Sequence, residues 1–132
     1  MRILLVEDEK DFASILRQGL EEKGHNVSVA HDAEAALLEA GCCSFDLFIM
    51  DIILPRMDGL TALANLRKKN ISSPAIIITA RVELAGELKG IGMGIDSCLI
   101  KPFAFSELLE EIDCVVERFK VKQRERAPEL SP

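Results

Sequence analysis

Tyrosine and tryptophan are absent from this chain of 132 residues, and its aromatic content is six phenylalanines. A core must therefore be built from Ile, Leu, Val and Ala. A positive balance is lacking as well: 16 Lys and Arg stand against 22 Asp and Glu for a formal net charge of −6, which speaks against the domain itself as a nucleic-acid binder, because phosphate contacts need a basic face. No apolar run approaches the length of about 18 residues that a membrane-spanning helix requires. The first residues, MRILLVEDEK, meet acids too early for a secretory signal. The four cysteines (Cys42, Cys43, Cys98 and Cys114) form no C-x-x-C pair, and His25 and His31 are not at finger-like spacing from them. They read as reduced thiols of a cytoplasmic protein. With nearly half its residues hydrophobic and a length near the commonest domain size, the chain reads as a single folded domain without repeats or low-complexity segments.

Residues 3–6 are an apolar run stopped by Glu7 and Asp8, which is the pattern of a buried strand ending in two acids. Phe12, Ile15, Leu16 and Leu20 then recur at helical spacing, and Gly24 suits the residue after a helix C-cap. Residues 25–30 alternate Val27 and Val29 with polar neighbours, predicting a shorter, more exposed strand. Asp32 is placed as the N-cap of a helix ending at Gly41. In residues 45–59, FDLFIMDIILPRMDG, a buried strand delivers one carboxylate, Asp51, to the rim of a sheet, followed by a tight loop with an Asp-Gly turn. Leu60, Leu63 and Leu66 predict a helix over 57–70, and Pro74 introduces a solid apolar run that ends at Thr79.

Residues 82–94 place Leu84, Leu88 and Ile91 at helical spacing but add Gly86, Gly90, Gly92 and Gly94. Each interior Gly costs about 1 kcal/mol against Ala, so this fourth helix is intrinsically weak. DSCLIKPF is a fifth strand stopped by Pro102, and residues 106–119 form a strong amphipathic helix. Beyond it the apolar stripe is lost. The domain is therefore placed at residues 1–120, with 121–132 as a linker or tail and no effector domain in this chain. Strands alternating with helices predict an α/β fold: a doubly wound (βα)5 sheet of five parallel strands with helices on both faces. A two-layer antiparallel arrangement fits less well, because the first, third and fourth strands are apolar on both faces.

In such a sheet Glu7, Asp8, Asp51, Thr79 and Lys101 share the carboxyl edge, where open α/β sheets bind ligands. Each alone has a plain structural reading; Thr79 would be an ordinary strand residue and Lys101 a solvated charge. Together they do not. Two unit charges 4 Å apart cost about 4 kcal/mol at an effective dielectric of 20, and a hard cation with oxygen ligands relieves that cost. Mg²⁺, which accepts one or two carboxylates beside a phosphate, fits best. Lys101 supplies a charge for a phosphoryl oxygen, Thr79 a hydroxyl donor, and Asp51 a nucleophile already ionised near neutrality. The sequence GIGMG follows a helix and precedes a strand, the reverse of what a dinucleotide fingerprint needs. Asp46, Asp58 and Asp96 read as loop, capping and turn residues.

The motifs VED, DLFIMDIILPRMDG, ITA and LIKPF, in this order at successive strand ends, resemble the receiver domains of two-component response regulators, over roughly residues 1–120. The resemblance implies a flavodoxin-like sheet with strand order 2-1-3-4-5. It also implies that Asp51 is the phospho-acceptor. Asp8, Asp51 and the backbone carbonyl of Ile53 would hold Mg²⁺, with Glu7 assisting through water. Thr79 and the amides of Ile52 and Ala80 would hold the phosphoryl oxygens, Lys101 would pair with the phosphate, and the Lys101–Pro102 bond is expected to be cis.

The implied donor is a phosphohistidine of a sensor histidine kinase. The domain's own phosphorylation and dephosphorylation would be its only chemistry, so it is not read as an enzyme acting on other substrates. The spacing around residues 94–112 is similar to receivers of transcription regulators, which often dimerise through the fourth helix, fifth strand and fifth helix. Glu111 stands where such receivers usually have a basic residue. Relatives also carry an aromatic residue where Cys98 stands, so switching is expected to run through the weak fourth helix. Ile53, two residues past the acceptor, cannot orient a water and predicts slow loss of the phosphoryl group. An acyl-phosphate phosphatase of the dehalogenase type would need an acid at that position. A receiver-like module that dimerises without phosphate, and a single-domain phosphorelay regulator, are the alternatives.

Overall fold

In the computed structural model, which describes residues 1–83 and 94–126, the apolar runs that end at Glu7, Asp51 and Thr79 become buried strands, and the two runs at the sheet edges become partly exposed ones. The strands β1 (Arg2–Val6), β2 (Asn26–Ala30), β3 (Leu47–Asp51), β4 (Ala75–Thr79) and β5 (Ile95–Ile100) form one sheet in the order β2-β1-β3-β4-β5. All neighbouring pairs are parallel, as the sequence pattern and the resemblance both predict. The helices whose full span lies among the described residues are α1 (Lys10–Glu22), α2 (Ala33–Cys42), α3 (Gly59–Lys68) and α4 (Phe105–Arg126). The glycine-rich helix expected over 82–94 falls almost wholly outside the described residues, so α4 here is the last helix of the sequence reading.

Alternation along the strands sorts the core into two layers. Leu4, Val6, Phe48, Met50 and Ile77 face α2 and α3. Ile3, Leu5, Leu47, Ile49, Ile76 and Ile78 face α1 and α4. Full burial of each such side chain contributes about 2 kcal/mol, which is why the runs at β1, β3 and β4 tolerate no polar interior residue. The helix α2 meets its layer through Ala33, Ala36 and Ala40, small residues that let its backbone approach the sheet, and leaves Leu38 exposed.

Helix ends follow the local chemistry. Asp32 Oδ1 accepts the Ala35 N–H at 2.7 Å and Asp58 Oδ1 the Thr61 N–H at 2.7 Å, so both cap their helices as expected. At the end of α1, the Gly24 N–H donates to Glu21 O and the His25 N–H to Leu20 O, with Gly24 at a φ of 90°. That is the glycine-closed C-terminus the sequence predicts.

Three local expectations change. The Asp58–Gly59 pair is not a turn: it is the N-cap and first residue of α3, and the helix spans Gly59–Lys68 rather than 57–70. Gly59 is required there because a Cβ would collide with the carbonyl oxygen of Asp51. Asp96 sits within β5 rather than in a turn. The register shift between Ala75 and Ile76 leaves it opposite no single partner, and its carboxylate accepts the Ala75 N–H at 3.1 Å in place of a carbonyl. Finally, α4 runs past the apolar stripe to Arg126. Residues 120–126 contain neither Gly nor Pro and are rich in Lys, Arg, Gln and Glu, which propagate an existing helix without tertiary packing.

Candidate functional site

β1 ends at Val6, so Glu7 and Asp8 leave the sheet at its carboxyl edge, beside Asp51 at the end of β3 and Thr79 at the end of β4. Lys101 follows β5 directly, and its N–H donates to Thr79 O at 2.8 Å. Close packing of α3 on this edge adds a tie from the Gly59 N–H to Ile52 O at 2.8 Å. The parallel sheet thus brings together all five residues singled out by their side chains.

Their geometry is that of a shared charge. Glu7 and Thr79 are fully buried and Asp51 is 5% exposed, while Asp8 is open to solvent. Lys101 Nζ lies 2.7 Å from Asp51 Oδ2 and 2.8 Å from Glu7 Oε1. Asp51 Oδ1 accepts the Ile53 N–H at 3.0 Å, and Glu7 Oε2 the Glu9 N–H at 3.0 Å. Thr79 Oγ1 accepts the Arg81 N–H at 3.0 Å, which aims the hydroxyl and leaves its proton to donate elsewhere.

Burial raises the Glu7 carboxyl above its ordinary range; the hydrogen bonds from Lys101 and the Glu9 N–H oppose this, and the Asp51 charge adds to it. Burial would lower the Lys101 ammonium, but its hydrogen bonds to Asp51 and Glu7 outweigh that and hold it above its ordinary value. The two directions agree physically. One ammonium answers two buried acids, so the cation is over-compensated and Glu7 is under-compensated.

Carboxylate oxygens of Glu7, Asp8 and Asp51 lie within 4.8 Å of one another. Such an all-oxygen set, one member exposed and two buried, fits a hard divalent cation that keeps part of its water shell. Ile53 is half exposed beside Asp51. The Ile52 N–H, expected to face a phosphoryl oxygen, donates to Ile78 O at 3.3 Å, and Ala80 is exposed next to Thr79. Cys98 is half-buried against the layer under α2 and α3, opposite Ile77. The Lys101–Pro102 bond is cis.

Three neighbours of the site escaped the sequence reading. Glu9 Oε1 lies 3.3 Å from Lys101 Nζ, His31 Nδ1 lies 2.9 Å from Glu7 O, and the Phe12 ring centroid is 4.7 Å from Lys101 Nζ. Glu9 carried a signal, a third acid beside Glu7 and Asp8. Phe12 carried none beyond its place in a helical stripe.

Comparison with known proteins agrees with this geometry. The model of the response regulator receiver domain matches residues 3–113. The transcriptional activator protein IrlR of Burkholderia pseudomallei is 37% identical over 123 residues, 93% of this chain and 53% of that protein. The transcriptional regulatory protein PcoR of Escherichia coli is 35% identical over 89% of this chain and 52% of its own length. The chain thus spans about half the length of the curated relatives it matches. Among solved structures, a receiver domain of Francisella response regulator 1452 superposes with a TM-score of 0.81 at 31% identity, covering 89% of this chain and 98% of that one. The response regulator TrrA of Thermotoga maritima, in complex with Mg²⁺ and BeF, gives 0.77 at 32% identity, covering 86% and 97%.

Proposed function

Since this chain belongs to the response regulator receiver domain family, we propose that Asp51 accepts a phosphoryl group from a sensor histidine kinase and that the domain relays this state to an output that regulates transcription. The observation that carries the reading is the Lys101 ammonium, 2.7 Å from Asp51 Oδ2 and 2.8 Å from Glu7 Oε1 at the mouth of the acid cluster. In the transfer, an Asp51 carboxylate oxygen attacks phosphorus, an O–P bond forms, and the bond from phosphorus to the imidazole nitrogen of the donor breaks. Lys101 moves its N–H from Asp51 Oδ2 to a phosphoryl oxygen, and the Thr79 hydroxyl donates to another. Asp8, Asp51 and the Ile53 carbonyl would hold Mg²⁺, with Glu7 behind them; when bound, the ion neutralises charge on the acids and the phosphoryl oxygens.

Ile53 offers an exposed apolar side chain beside the acceptor, so the acyl phosphate is long-lived. The domain acts on its own carboxylate and on no other substrate. It occupies residues 1–120 of a cytoplasmic regulator and self-associates through a face that includes β5 and α4.

Intact mass after incubation with Mg²⁺ and acetyl phosphate tests the acceptor. The wild type gains one phosphoryl group, and Asp51→Asn gains none. An unmodified wild type, or an equal adduct on Asp51→Asn, would end the proposal in favour of a module that switches without phosphate.

A further inference from the structure

Lys101 is held from two directions, and only one of them is acidic. Its Nζ lies 2.7 Å from Asp51 Oδ2, 2.8 Å from Glu7 Oε1 and 3.3 Å from Glu9 Oε1, so each of its three N–H bonds has a carboxylate to meet. The same Nζ stands 4.7 Å from the centroid of the Phe12 ring on α1. Phe103 meets that ring edge-on, the centroids 5.9 Å apart and the planes at 72°. Because Phe103 follows Lys101 by two residues, one short segment after β5 sets both a cation and an aromatic edge against Phe12. An ammonium near an aromatic face is attracted by the ring's quadrupole, and more strongly where water is scarce. Water is scarce here: the Lys101 side chain is 15% exposed.

We infer that Phe12 is a positioning residue for phosphoryl transfer: its ring holds the Lys101 ammonium at the acid cluster while Asp51 exchanges its hydrogen bond for an O–P bond. The inference deepens the reading of Asp51 as acceptor and rests on it. When Asp51 gives up its carboxylate charge, Lys101 must carry one N–H across to a phosphoryl oxygen without leaving the pocket. Glu7 alone is a buried anchor on the acidic side, since the Glu9 side chain is 68% exposed. The ring supplies the opposing contact and cannot be displaced by the incoming phosphoryl group. Without it, the flexible lysine stem follows Glu9 outward. In this role Phe12 acts through Lys101.

The experiment places 4-fluoro-, difluoro- and trifluorophenylalanine at position 12 of the full chain, which weakens the ring face with little change in volume. The rate of adduct formation with acetyl phosphate and Mg²⁺ falls stepwise along the series, to roughly a tenth at the trifluoro ring. Phe12→Tyr keeps the wild-type rate, and Phe12→Leu behaves like the trifluoro ring. Equal rates along the series, in a protein whose unmodified chain forms the adduct, overturn the inference while leaving the acceptor in place.

A second readout needs no phosphate. In the NMR spectrum of the unmodified chain the Lys101 ε-methylene protons are shifted upfield by the ring, and Phe12→Leu returns them to the ordinary lysine position. Ordinary shifts in the wild type overturn the contact itself. An upfield shift in a chain that forms no adduct keeps the contact but removes the transfer role along with the acceptor reading.

Discussion

At the amino edge of the sheet the Arg2 guanidinium lies 5.5 Å from the Phe45 ring centroid; at the carboxyl edge the Lys101 ammonium lies 4.7 Å from that of Phe12. Both edges also carry acids, but they use them differently. At the amino edge Asp46 accepts the Arg2 N–H at 2.7 Å, Asp96 accepts the Ala75 N–H at 3.1 Å, and Ser73 Oγ donates to Phe45 O at 2.6 Å. Each of these three polar side chains closes one backbone gap. At the carboxyl edge Glu7 and Asp51 are buried beside each other and draw on one cation, with Asp8 close by. A satisfied edge has nothing to gain from a ligand. An edge with surplus negative charge gains from a divalent cation, and the same surplus makes Lys101 the piece that must move.

The largest expected effect comes from removing that cation. Lys101→Met leaves two buried acids without a counter-charge and lowers stability by about 3 kcal/mol in metal-free buffer, with much of the loss recovered on adding Mg²⁺. Urea unfolding with and without Mg²⁺ measures both halves. A loss that Mg²⁺ does not touch would put the lysine's role in packing rather than in charge balance.

The matching change at the other edge is smaller and indifferent to metal. Asp46→Ala removes a single cap on the Arg2 N–H and costs about 1 kcal/mol in the same titration, leaving the rate of phosphoryl uptake unchanged. Any Mg²⁺ dependence of this variant would erase the contrast between the edges.

The smallest effect is a pH dependence confined to the amino edge. Burial, helped by the nearby Met1 amino group, lowers the His25 imidazole below its ordinary value of 6.5. The folded state therefore favours neutral His25. That contribution is present above pH 6.5 and is lost as the pH falls through the lowered value. Between pH 7.5 and pH 5 the melting temperature should drop by about 1 °C more in the wild type than in His25→Gln. Parallel melting curves for the two proteins would remove His25 from the account.

Much of the site was legible because a strand's end is legible. Apolar runs that stop abruptly at Glu7, Asp51, Thr79 and Lys101 announce both a buried strand and the residue at its rim, and parallel strands put all their carboxyl ends on one side. What stayed hidden depends on which backbone lies against which. Asp58 was legible as a cap, but the glycine beside it reads as a turn residue until the approach of α3 to the Asp51 carbonyl shows that no Cβ fits there. Asp96 looks like turn chemistry until a register shift in β5 gives it an N–H to accept. Phe12 reads as one more apolar helix residue until the segment after β5 folds Lys101 over it.

By itself, then, the sequence determined the alternation of strands and helices, the two-sided burial of the central strands and the acids on one edge, because periodicity and abrupt polarity changes are local properties of a chain. The tertiary structure alone decided how those acids are balanced. Lys101 reaches Glu7 across 94 residues and Asp51 across 50, and Phe12 closes the pocket from another element. Contacts of that separation depend on how layers dock, and no local pattern encodes the docking.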